Sequence, residues 1–520
     1  MKKTYLKTCL LALGALVAWS SCKKSSEENV DISKPLTVVG KAISDTILPQ
    51  KDANGNAIPL KGTMLAGKTY HIMADVSVNA GDTLYVQPGV KVFIHGDGKS
   101  VATSPTIYIN GTFVSDGSKS APNWFTVFPT AATPKSGQQF KDDPTNDPAY
   151  AGYWGGFQCS PTAKLLVLRW THVEYTGGPW GANAPDYGAK AGDPRFSVFM
   201  ANAADAAVKG TLILEDSWFY GSKDDCIGKC QNINVSIMRN DFIKTGGTGG
   251  EGVNLKDGCI GDMAYNFCFG GATNGLKTAG DVGKFNLVNI YNNTVVQCGF
   301  RQLKATRNGS INTETNAGGY IYNNIIVNCK AGIRISYSSE KGKPSDTLNT
   351  KYNNNLTCIG RGNPMGGDQQ YMQFIEPGQY TLKQSNDFNG YVNGTIVTSG
   401  AAAGTNIGTN TASDSLKYDP TFVNYNVATN SIGRNYRTAE VPTGSDFHLK
   451  TGSIAIGAGV YPGGSGKNAM PTKPSAPKLT QYGIPMKVVP TTAIYGANIT
   501  PPNKDLGAFP TDGSGNQHTY

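Results

Sequence analysis

The sequence predicts an all-β protein, a right-handed parallel β-helix, from three observations. Gly supplies 64 of the 520 residues, about 12% against a usual level near 7%, and Asn is abundant. Both are poor helix interiors, and both tolerate the left-handed backbone angles of tight corners. A phrase also recurs: Tyr291-Asn292-Asn293 before Cys298, Tyr322-Asn323-Asn324 before Cys329 and Tyr352-Asn353-Asn354 before Cys358, with Tyr265-Asn266 before Cys268 a shorter copy. The four cysteines are 30, 31 and 29 residues apart, and a period of roughly 20–50 residues marks a stacked architecture. Finally, each period holds short alternating strands broken by Gly and Asn, with no room for a helix. Each period therefore reads as one coil. A hydrophobic content of 39% and an aromatic content of 10% exclude a disordered chain.

Taken from the N-terminus, residues 1–21 read as a secretory leader. Lys2, Lys3 and Lys7 precede an apolar run over 9–19, shorter than the roughly 20 residues that span a bilayer. Ser20-Ser21 then precede Cys22, and residues 22–64 form a tether and lead-in that starts with the charged tract 23–28. The β-helix is expected over 65–460. Residues 80–94 read as two strands around Pro88-Gly89, and strands at 107–114 and 124–128 follow. In the repeat region 289–296 and 332–335 read as strands. Equivalent side chains stack about 4.8 Å apart along such an axis, so Cys268, Cys298, Cys329 and Cys358 are read as one buried, reduced ladder. Residues 461–520 are read as an irregular wrap closing the last coils.

Charge excludes some functions. Charged residues make up 16% of the chain and the formal charge is +9, of which the leader lysines supply three, leaving +6. That is too mild for nucleic acid, whose readers carry dense basic stripes. Five scattered His and no tight Cys/His cluster argue against zinc. The loop Asp142-Asp143-Pro144-Thr145-Asn146-Asp147 offers oxygen ligands suited to Ca²⁺. It lacks the spacing of a dedicated site and is read as a solvated loop, so no cofactor is expected. A monomer is expected.

Several segments carry resemblances. Ser20-Ser21-Cys22 resembles a bacterial lipoprotein signal, although Trp19 stands where Leu is usual, and 23–28 resembles the export tag of surface lipoproteins in Bacteroidetes. This implies lipidation of Cys22 and an outer-membrane, cell-surface location. The opening strands, Trp154-Gly155-Gly156-Phe157, and the later phrases Asp419-Pro420-Thr421-Phe422, Asp446-Phe447-His448-Leu449 and Asp505-Leu506-Gly507-Ala508-Phe509 resemble exported β-helix proteins of the pectin lyase-like superfamily. The resemblance touches most of 65–510 and implies the fold rather than an activity.

Aligning the coils brings a second set of strands into register. Side chains alternate along a strand, so Asn254, Lys277 and Arg334 are expected to face outward in one column, with Arg301 or Gln302 in the coil between. Lys223-Asp224-Asp225-Cys226-Ile227-Gly228-Lys229 resembles the Asp-Asp segment of polygalacturonases, which implies carboxyl acid/base roles for Asp224 and Asp225. The chain departs from that family in the next coils, where Glu251-Gly252 and Leu276-Lys277-Thr278 replace its motifs, and only Asp193 or Asp205 stands in for its earlier Asp. A second reading uses the basic residues. Between 277 and 334, Lys277, Lys284, Arg301, Lys304, Arg307, Lys330 and Arg334 face only Asp281 and Glu314. Cations of this kind neutralise uronates, and a Lys or Arg acts as base in β-elimination. The candidate catalytic set is thus Asp224, Asp225, Glu251 and Lys277. Asn254, Lys256, Arg301, Lys304 and Arg334 are the substrate-binding candidates, and Trp180 and Tyr187 the candidate sugar-stacking rings.

The expectation is a lipid-anchored surface β-helix that engages polysaccharide, anionic rather than neutral, as a lyase or glycosidase. Its rival is a non-catalytic glycan-binding, structural or adhesion protein. Cys22→Ala is expected to abolish acylation and release the protein from the outer-membrane fraction. A variant still acylated and membrane-bound contradicts the lipoprotein reading.

Overall fold

The computed structural model describes residues 36–128, 147–182, 189–203, 209–247, 249–280, 286–299, 301, 310–329, 333–335, 350–358, 418–430, 440–470 and 496–520. The leader, Cys22, Lys304, Tyr187, Asp205 and 142–146 lie outside the described residues. The protein is a right-handed parallel β-helix with three long sheets of eleven, eleven and nine strands. Asn234–Met238 lies in the first sheet, Asp241–Thr245 in the second and Val253–Leu255 in the third, before Ile260–Ala264 returns to the first. Asn234 pairs with Ile260, one coil later. Among the described residues no helix is long and apolar enough to cross a membrane.

Alternation along each strand sends one face into the bore. Val235, Ile237 and Met263 from the first sheet meet Phe242 and Val295 from the second and Val253, Leu276 and Ile311 from the third. None is more than 1% exposed. At about 1.5–3 kcal/mol for each large aliphatic buried, this bore is the main source of stability.

From Thr211–Glu215 onward, each described coil turns from the first sheet to the second through two residues. The first is left-handed: Asp216, Arg239, Tyr265, Asn292, Asn323 and Asn354 have φ between +51° and +58°. The second faces inward and is fully buried: Ser217, Asn240, Asn266, Asn293, Asn324 and Asn355. These asparagines form a ladder. The backbone N–H of Asn240 donates to Asn266 Oδ1 at 3.1 Å, that of Asn266 to Asn293 at 2.9 Å and that of Asn293 to Asn324 at 2.9 Å. In the other direction, Nδ2 of Asn266, Asn293 and Asn324 donates to the carbonyls of Ile237, Met263 and Ile290 at 2.9–3.0 Å. The recurring Asn-Asn phrase is thus a corner. Residues 289–296 are not one strand but the end of Asn286–Tyr291, the corner, and Thr294–Val296.

The cysteine reading needs a similar correction. Cys268 pairs with Val295, 27 residues on, and Cys358 pairs with Val327. A spacing near 30 therefore overshoots one coil and undershoots another, because coil lengths differ. Only Cys298 and Cys329 share a column, with the Cys298 N–H at 3.5 Å from Cys329 Sγ. All eight described cysteines are buried and unbridged.

The C-terminal residues run back over the corner and the second sheet. Arg239 donates to Asn498 O and Thr500 Oγ1, Tyr291 to Thr500 O, Asn292 to Asp505 O and Asn323 to Asn503 O. His518 then stacks on Trp218 at 3.8 Å and pairs with buried Asp241 at 2.9 Å, ending a ring stack that continues through His172 to Trp124.

Asn293→Ala strands the Asn266 N–H and the Met263 carbonyl in a buried site. At roughly 1–3 kcal/mol for each unmet group, the variant is expected to lose about 2–5 kcal/mol, read as a lowered denaturant midpoint. A midpoint matching the wild type contradicts a structural role for the ladder.

Candidate functional site

The third sheet carries the candidate residues. Val253, Leu255, Leu276, Ile311 and Ile333 fill the bore, and in register between them Asn254, Lys277, Asn312 and Arg334 form one column. Asn254 and Lys277 take the expected column, and Arg334 is in backbone register with it. The residue between Lys277 and Arg334 is Asn312, however, and not Arg301, while Gln302 lies outside the described residues. The connection after Thr294–Val296 is much longer in this coil, and the strand resumes only at Ile311–Glu314. Arg301 lies in that connection. Its guanidinium donates to the carbonyls of Thr245, Gly246 and Gly247 and lies over Tyr150, 4.8 Å from the ring centre. It is a structural clip in this arrangement, 5% exposed, and not a groove cation.

Asp224, Asp225, Glu251, Asn254 and Lys277 do converge. Asp225 Oδ1 accepts from the Glu251 N–H at 2.8 Å and Oδ2 from Asn254 Nδ2 at 2.7 Å. Glu251 Oε1 accepts from Asn274 Nδ2 at 3.2 Å and faces Lys277 Nζ at 3.4 Å. Lys277 also faces Glu314 Oε2 at 3.4 Å, and Glu314 Oε1 accepts from Asn312 Nδ2 at 2.7 Å. Each of the three asparagines turns its nitrogen to a carboxyl. The amide oxygens of Asn254, Asn274 and Asn312 are left buried with no protein partner. Asn274, Asn312 and Glu314 were not among the sequence candidates. The alternation Ile311-Asn312-Thr313-Glu314, which repeats Leu276-Lys277-Thr278-Ala279 one coil earlier, carried the signal for two of them.

Burial and neighbours pull the ionisable groups apart. Burial, then the charge of Glu251, pushes Asp224 up to about 6. The same two causes raise Asp225 well above the carboxylate range, and its carboxyl hydrogen-bonds to Glu251. Burial opposes ionisation of Glu251, but Lys277, the Asp225 hydrogen bond and Lys256 together bring it down to about 2. Burial, then Lys277, lowers Lys256 to about 8. The buried Asp225 carboxyl is thus held towards its protonated form beside ionised Glu251, and half-buried Asp224 is the more accessible of the two raised carboxyls.

The other candidates sit elsewhere. Phe196 lies over Gly228, where an added Cβ would stand 2.1 Å from the ring, so this face admits only glycine. Phe196 packs with Trp180, Phe199 and Ala201. Trp180 is 6% exposed, with Arg195 5.2 Å from its ring centre, and offers no face to a sugar. Asp193 lies in the same insertion, accepting from the Lys190 N–H, and adds to the charge felt by Asp224. Asp147, the described end of the acidic loop, caps Pro148–Tyr150 and pairs with Lys244, so it is not available as a Ca²⁺ ligand. Among the described residues no group of three or more His, Cys, Asp or Glu is arranged to hold a metal.

These shifts set a pH dependence. Between about pH 4 and 6 the folded chain holds the Asp224 proton that the unfolded chain releases, so this group's contribution to stability falls as pH rises. Glu251 acts oppositely, contributing stability that is lost as pH falls from about 4.5 towards 2. Asp224→Asn is expected to flatten the loss of thermal stability between pH 4 and 6 relative to wild type. Parallel profiles for the two proteins contradict the assignment.

No family model, no curated protein and no solved structure matches this chain. The functional reading therefore stands on the geometry of the third-sheet face.

Proposed function

We propose that this chain is a lipid-anchored protein of the bacterial outer surface that cleaves polysaccharide glycosidic bonds by hydrolysis. Asp224 acts as the acid, and Glu251 as the ionised partner that stabilises positive charge developing at the sugar ring. The observation that carries the proposal is the gathering of Asp225, Glu251, Asn254 and Lys277 beside Asp224 on one face, where burial and neighbouring charge hold Asp224 up at about 6 and Glu251 is brought down to about 2. Neighbouring carboxyls driven apart in this way are the usual basis for acid and base roles. Asp225, Asn254, Asn274 and Lys277 position Glu251.

Hydrolysis is favoured over elimination by the cations. Lys277 is bracketed by Glu251 and Glu314, and Arg301 is spent on backbone carbonyls, so neither is placed to neutralise a uronate. A neutral glycan fits this acceptor-rich face better than the anionic one expected from residue counts. A second reading, glycan binding without catalysis, is favoured by the contact between Asp225 and Glu251, which engages Glu251 internally.

Hydrolysis is measured as new reducing ends on a panel of neutral and acidic polysaccharides. Asp224→Ala is expected to reduce kcat by about 10²–10⁴, and wild-type activity should fall as pH rises through about 6. Glycan binding without reducing ends supports the second reading. Unsaturated products absorbing in the ultraviolet would contradict hydrolysis and restore the lyase.

A further inference from the structure

The second sheet carries a cleft at its N-terminal end, on a different face from Asp224. Its volume is about 460 Å³, and Met73, Ile94, His95, Asp97, Phe128 and Tyr153 are among its walls. That volume falls within the roughly 300–1,000 Å³ of small-ligand sites.

The cleft is built rather than incidental. His95 stacks on Phe128 with ring centres 4.2 Å apart, and its Nε2 lies 2.9 Å from His71 Nδ1, leaving one nitrogen of each imidazole outside that bond. The loop that forms the rim is held by its own hydrogen bonds. Asp97 N–H donates to Thr103 O at 2.9 Å, Asp97 Oδ1 accepts from the Lys99 N–H at 2.9 Å, and Ser104 Oγ donates to Ser100 O at 2.7 Å. Gly96 lets this loop lie against the chain carrying Tyr153, since a Cβ there would stand 2.2 Å from Tyr153 O.

The chemistry of the walls selects a ligand. Half-buried aromatic rings meet the apolar C–H face of a pyranose. The polar groups are a carboxylate, a hydroxyl and an imidazole, all able to accept from sugar hydroxyls. Hydrogen bonds from Thr103 and Lys99 keep Asp97 below the usual carboxylate range, while burial and His71 lower His95, so the cleft holds an anion and a neutral imidazole near neutral pH. An acidic sugar would meet Asp97 with no cation among the lining residues; Lys99, whose Nζ stands 3.9 Å from Asp97 Oδ2, is a solvent-exposed lysine outside that lining. The Trp124–His172–Trp218 stack nearby is not an equivalent platform, because ring separations of 3.5 and 4.1 Å leave no room for a sugar between them.

We propose that this cleft is a second, non-catalytic saccharide site that takes one or two units of a neutral glycan, stacking them on Phe128 or Tyr153 and hydrogen-bonding them to Asp97, Thr103 and His95. Binding in this cleft is independent of hydrolysis at Asp224.

The test is calorimetric titration of the exported chain with cellohexaose, mannohexaose, xylohexaose and maltohexaose, and with hexagalacturonate as the charged control. Hydrogen exchange then locates the protected backbone. Wild type is expected to bind at least one neutral probe, with protection at 94–104 and 153. Affinity at that location should fall at least fivefold in Asp97→Asn and in Tyr153→Ala. Asp97 is at the exposed rim, so its variant tests the site even if Tyr153→Ala unfolds. Unchanged affinity in Asp97→Asn, protection confined to 224–277, or no binding of any neutral probe overturns the proposal. Protection confined to 224–277 does so while leaving glycan engagement at the third-sheet face intact.

Discussion

A parallel solenoid has to turn a corner in every coil without leaving a backbone group unmet, and in the later coils of this protein the corner between the first and second sheets does so with a buried asparagine. The left-handed residue swings the chain through the turn, and the asparagine after it points into the bore. A buried amide there would be a liability if half satisfied. Here the oxygen of Asn293 accepts from the backbone N–H of Asn266 in the coil before, and its nitrogen donates to the Met263 carbonyl of that same coil. Each asparagine therefore joins two coils, and the row from Asn240 to Asn355 holds their register.

Register is what gives the outer faces their chemistry. With coils locked in phase, Asn254, Lys277 and Asn312 fall in one column although they lie far apart in sequence. The alternation that buries Leu276 and Ile311 pushes polar groups outward onto a face where Asn274 and Glu314 join them. The corner also serves the C-terminal segment, because its left-handed residues have side chains on the outside of the turn. Arg239, Asn292 and Asn323 use them to hold 498–505 by its carbonyls. The same segment buries His518 beside Asp241 and covers part of the second sheet. The cleft around His95 lies on the earlier coils of that sheet.

Periodicity and alternation are local properties, and they carried the fold and the outward parity of Asn254 and Lys277. Coil length is not local. The cysteine spacing looked constant, yet the coil after Cys268 pairs at 27 residues and the next at 31. A ladder inferred from spacing alone was therefore misplaced for Cys268 and Cys358. The same irregularity moved Arg301 off its strand and hid Asn312. Charge counting failed for a related reason. A count of charges takes no account of pairing, whereas Lys277 lies between buried Glu251 and half-buried Glu314. Burial of Trp180 was equally invisible, since it depends on Phe196 and Phe199 packing against it across the insertion. What sequence reasoning did find at the site, the Asp224-Asp225 pair and Glu251, consists of groups whose positions follow directly from the strand starts they precede.

The central claim is that the asparagine corner holds the coils in phase, and native-state hydrogen exchange tests it most directly. The backbone amides of Asn240, Asn266, Asn293 and Asn324, each donating to the next asparagine, should be among the last to exchange and should do so together as the coils open. Exchange of these amides at the rate of the exposed turn at 52–58, with the bore strands still protected, would contradict the account.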